Sequence, residues 1–66
     1  MQLVGDAEGI AALKALVAEH RDYLKFLIAE AQSNTDHSAP FRGADGGRWQ
    51  LVVNAVKAEL EVRKAP

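Results

Sequence analysis

Between Ile10 and Ala31, the positions Ile10, Leu13, Val17, His20, Leu24, Leu27 and Ala31 fall on one stripe of a single helix, and the only polar member, His20, sits at its centre. A stripe of that length must be covered, because apolar area left in water forfeits roughly 25 cal/mol per Å². From Ala7 to about Gln32 the residues are strong helix formers, with Gly9 the one weak position and no proline to interrupt the run. Asp6 is placed to cap the first turn, Glu8 suits the positive end of the helix dipole, and Leu3 or Val4 can staple back onto Ile10. The apolar arc also takes in Leu16, Tyr23 and Ile28, while Lys14, Glu19, Arg21, Asp22 and Lys25 take the other side. Phe26 lies outside the arc among charged neighbours, which makes it a candidate contact for a partner.

Residues 33–47 are dense in Ser, Asn, Asp, Gly and Pro and read as a loop, too long for a tight turn. Pro40 pushes Ala39 towards extended backbone, and Phe41 beside it is an apolar anchor that either folds back on the helices or docks into a neighbouring subunit. Asp45, Gly46 and Gly47 mark a break before a second helix from about Arg48 to Lys64. Trp49, Leu51 and Val53 alternate as in a strand, but Trp49, Val52, Val53, Val56 and Leu60 recur at helical steps, and Glu59 with Arg63 and Lys57 with Glu61 stand four apart. On that helix Leu51, Ala55, Ala58 and Val62 form a second, thinner stripe whose small side chains suit the close approach of a partner. The expected fold is therefore all-α: a two-helix hairpin with a long connecting loop, spanning a single domain over 1–66 and completed by oligomerisation or by docking on a larger assembly.

A chain of 66 residues supports roughly 3–5 kcal/mol of net stability from one core. With no cysteine there is neither a disulfide nor a thiolate metal site to add to it, and two histidines fall short of a structural zinc site. Association is the remaining means. The composition, 48% hydrophobic and 26% charged, is that of a globular chain, and no run approaches the ~20 apolar residues of a membrane span. Residues 1–6 do not resemble a secretory signal, so a cytoplasmic protein is expected. A net charge of −1 lacks the basic excess that usually marks nucleic-acid binding.

His20 invites a chemical reading, as a group titrating near neutrality or as a ligand, but the expected role is a core polar residue, bonded to Tyr23 of a neighbour, to Gln50 or to a backbone carbonyl. Asp36, His37 and Ser38 are residue types that hydrolases use. Sequence neighbours seldom converge as a catalytic set, however. Gly43, Gly46 and Gly47, with Arg42 and Arg48 nearby, lack phosphate-loop spacing. The expected function is that of a non-catalytic structural or assembly protein without cofactor, a homo-oligomer or a subunit on a larger protein particle such as a phage virion, with Phe26, Phe41, Leu51, Ala55, Ala58 and Val62 as its partner contacts. The competing expectation is a small dimeric regulator that binds nucleic acid or another regulator through Lys14, Arg21 and Lys25.

Overall fold

The computed structural model describes residues 2–66, and Met1, the first residue of the expected domain, lies outside the described residues. Six elements follow in the order β1 (Gln2–Gly5), α1 (Ala7–Glu19), α2 (Tyr23–Ser33), β2 (Ser38–Arg42), β3 (Arg48–Asn54) and β4 (Glu59–Lys64). The strands form one mixed sheet in the order β1-β4-β3-β2, with β1 parallel to β4 and the other two pairs antiparallel. The all-α helical hairpin expected from periodicity is thus overturned. The fold is α+β, two helices covering one face of a four-stranded sheet.

The decisive difference lies at 48–64, where the expected second helix is a β-hairpin. Trp49, Leu51 and Val53 of β3 and Leu60 and Val62 of β4 all point to the covered face, in cross-strand pairs Leu51 with Val62 and Val53 with Leu60. Period two wins because it buries all five of these side chains, with β-branched valines suited to a pleated surface. On a helix, Val56 belongs to the buried stripe. Here it is 98% exposed at the tip of the 55–58 loop. The charged residues obey the same period: Glu61 and Arg63 are two apart on the open face and paired at 2.8 Å, in place of the expected four-residue pairs. The loop is pinned by the Asn54 side chain, which accepts from the Lys57 N–H at 3.1 Å, and it returns through Ala58 in the left-handed region at φ 54°.

The expected loop 33–47 likewise contains β2, whose Ala39 and Phe41 are buried opposite Leu51 and Trp49. The hairpin between β2 and β3 closes with Gly43 N–H donating to the Gly47 carbonyl at 2.9 Å and with Asp45 Oδ1 accepting from the Gly47 N–H at 2.9 Å. Near the other end of the chain, residues 2–5, read as a hydrophobic staple, form a strand instead.

The long helix exists, but in two pieces. A straight helix over 7–32 would be about 39 Å long at 1.5 Å per residue, longer than the 30 Å greatest extent of the molecule. The break at 20–22 folds the second half back over the same sheet, and the stripe survives it: Leu13, Leu27 and Ala31 are buried in the core, with Ile10, Val17 and Leu24 packed against it. His20 falls at the break and is exposed, so the expected core polar role is corrected. Asp6 does cap α1, its carboxylate accepting from the N–H groups of Glu8 at 2.9 Å and Gly9 at 3.2 Å. No helix among the described residues is long and apolar enough to cross a membrane.

Gly9 is where α1 meets the sheet. A Cβ there would stand 2.5 Å from Val62 Cγ1 and 2.7 Å from Trp49 Cε3. In an open helix, replacing glycine by alanine gains about 1 kcal/mol; at this contact the sign reverses, and Gly9→Ala is expected to cost about 1–3 kcal/mol in urea unfolding. The opposite holds at Ala58, where a non-glycine residue sits at positive φ. Ala58→Gly is expected to stabilise by up to about 1 kcal/mol in the same assay.

Candidate functional site

A four-stranded open sheet has two edges, and this chain treats them differently. Along β2, register decides which backbone groups face outwards. The Val53 N–H donates to the His37 carbonyl at 2.9 Å and the Gly43 N–H to that of Gly47, so the intervening Ala39 and Phe41 turn their backbone groups towards β3. Ser38, Pro40 and Arg42 turn theirs away. Ser38 is sealed, its N–H donating to Asp36 Oδ1 at 3.1 Å and its carbonyl accepting from Asn34 Nδ2 at 2.8 Å, and Pro40 has no N–H to offer, which leaves its carbonyl and the Arg42 groups open. Proline and local side-chain bonds are recognised means of keeping an edge from recruiting another strand.

Hydrogen bonding from Ser38, its hydroxyl foremost and then its N–H, holds the Asp36 carboxyl below its ordinary 3.8. A lowered carboxyl pKa means that the charged form is favoured in the fold, so the seal is complete above the ordinary value and is lost as pH falls through the lower, folded one. At the exposed Glu61, the bond from the Arg63 side chain lowers the carboxyl in the same sense.

On the other side, β1 is short, uncharged and open. Gln2 N–H donates to the Ala58 carbonyl at 3.0 Å and Asp6 N–H to the Val62 carbonyl at 2.9 Å, on either side of the parallel ladder with β4. In such a ladder alternate residues point the same way, so Leu3 and Gly5 turn both N–H and C=O outwards. Gly5 is required here. It adopts φ 117°, and a Cβ would collide with the Val62 carbonyl oxygen.

The residues expected to contact partners are scattered by the fold. Leu51 (0%), Val62 (1%) and Phe41 (5%) are interior residues of the sheet, which corrects the expected docking stripe. Ala55 and Ala58 are exposed in the β3–β4 loop. Phe26 is 60% exposed on α2, stacked on Tyr23 with ring centroids 6.3 Å apart. His20, Arg21, Asp22, Tyr23 and Phe26 line one shallow depression there. Lys14 lies on α1 and Lys25 on α2, so the basic edge of one helix is divided between two. Arg42 and Arg48 are cross-strand neighbours beside a cleft of about 450 Å³ that Tyr23, Pro40 and Ala65 help to line, and the glycine loop between them leads into a strand rather than a helix N-terminus. The Trp49 indole N–H, buried close to Gly43 and Gly47, meets no acceptor among the described residues. Nor do three or more of the described His, Asp and Glu residues gather as metal ligands.

Comparison with protein-family models, with curated proteins and with solved structures returned no match to this chain. The site is therefore defined by its own geometry: an open backbone edge at Leu3 and Gly5, opposite one that is partly sealed at Ser38 and Pro40. No signal in the residues 2–5 alone could have shown this, because an edge is a property of strand order.

Asp36→Ala is expected to speed hydrogen exchange at the Ser38 amide while leaving Ala39 and Phe41, which bond to β3, unchanged. In the unaltered chain, protection of the Ser38 amide should persist through pH 3.8 and fail only on further acidification.

Proposed function

We propose that this protein acts by association rather than by catalysis, as an assembly or structural module whose β1 edge takes a strand from a protein partner. The supporting observation is the contrast between the edges. On β2 both outward-facing backbone groups of Ser38 are bonded locally and Pro40 lacks an N–H, and the groups left open, the Pro40 carbonyl and those of Arg42, lie beside a proline and a charged side chain. Those of Leu3 and Gly5 meet no partner among the described residues and have no charged residue or proline beside them within β1. Pairing an extended segment on such an edge supplies main-chain hydrogen bonds, and alternate side chains supply the selectivity. Phe26, on the helical layer, is the accessible apolar ring available to a second contact.

A titration tests this reading. The ¹⁵N-labelled protein is mixed with an uncharged extended peptide of alternating Thr and Val, and amide shifts are followed by NMR. Perturbation centred on Leu3, Gly5 and the adjoining β4 residues, with Ser38–Arg42 unaffected, is the expected outcome. A peptide that leaves β1 unperturbed, or that settles on β2, would contradict the proposal.

A further inference from the structure

We infer that the strand received by β1 is the β1 of a second copy, paired antiparallel about a two-fold axis through Val4; this rests on the association reading above and names its partner. The register is self-complementary. With Val4 opposite its own counterpart, Leu3 of each copy faces Gly5 of the other, and the outward N–H and C=O groups of both residues are satisfied in four reciprocal hydrogen bonds. Val4 then forms the pair without direct hydrogen bonds, in which side chains approach most closely, so two half-buried valines meet on the open face.

Strand order explains why assembly would stop at two. Joining β1 to its copy gives a continuous eight-stranded sheet in which both β1 edges are consumed and only the two β2 edges remain. At those edges both outward groups of Ser38 are bonded to Asp36 and Asn34, Pro40 offers no N–H, and the groups that remain open lie beside proline and the charged Arg42, which disfavours a further strand. A single open edge yields a closed dimer, whereas two open edges permit a fibre. Charge sets no obstacle, since Gln2–Gly5 carries none. Four residues a side bury well under the ~1,200 Å² that marks the low end of specific stable interfaces, which places the dimer in the weak, concentration-dependent class.

Val4→Lys isolates the pairing. Within one copy the introduced ammonium lies beside Glu61, the cross-strand partner of Val4, so the fold is preserved; across the two-fold the two ammonium groups face each other. Sedimentation from micromolar to millimolar concentration, with amide exchange at each concentration, provides the readout. For the unaltered chain the mass should rise from one copy to two and stop there, as the Leu3 and Gly5 amides become protected. V4K should weaken that association by about tenfold or more while keeping a cooperative thermal transition, and Val4→Thr should retain it and supply the comparison if V4K does not fold. A single-copy mass at every concentration, an undiminished dimer in folded V4K, or a dimer formed without protection of Leu3 and Gly5 would each overturn the inference. If the chain stays single while the Thr-Val peptide still perturbs β1, self-pairing fails and the association reading stands; if neither occurs, both fail.

Discussion

The structure depends on one row of side chains. Leu51, fully buried in the middle of β3, lies between Ala39 on β2 and Val62 on β4, and all three point towards the helices. Each neighbouring row repeats the arrangement, with Phe41 beside Trp49 and Val53 beside Leu60, which Leu3 of β1 continues. This alternation forces the sheet to exist. It also supplies the surface on which α1 and α2 bury their stripe, so neither layer has a core without the other.

What sequence reasoning recovered, and what it missed, follows from the range of each interaction. The helical stripe is local, and its apolar positions do face the core; so is the Asp6 cap, which forms as its side chain dictates. The break at His20 has no glycine or proline to announce it. It arises from a length mismatch between a helix and the sheet beneath it, a property of the assembled fold. At 48–64 two periods compete in the same residues. Ala55, Val56, Lys57 and Ala58 supply helix-compatible residues and helical spacing, but their place is a four-residue turn, and the alternation at Trp49, Leu51 and Val53 was the signal to weigh more heavily. Strand β2 was hidden by its proline, which reads as loop chemistry yet sits at an outward-facing edge position where no N–H is needed.

The asymmetry of the edges links this architecture to the proposed function. The chain segment just before β2 supplies both the donor and the acceptor that seal it: Asn34, the C-cap of α2, and Asp36 two residues further on. At β1 the demands of the α1 connection require glycine and a left-handed φ, and no side chain among the described residues bonds to the edge. None of this was legible from composition, because which strand lies at an edge is settled only when β4 inserts between β1 and β3. The expected partner stripe of Leu51 and Val62 failed for the same reason: apolar residues left over on one hypothetical helix are consumed as the centre of the sheet.

The central claim is that residues 48–64 form two antiparallel strands with Leu51 opposite Val62. These two residues occupy a pair without direct hydrogen bonds, where the Cα atoms come to ~4.5 Å, so a nuclear Overhauser measurement in solution tests the claim directly. The account predicts a strong contact between the Hα protons of Leu51 and Val62, with matching ones between Val53 and Leu60. Medium-range contacts between residues three apart running through 48–64, in place of those cross-strand signals, would show a helix there and contradict the fold and the edge assignment together.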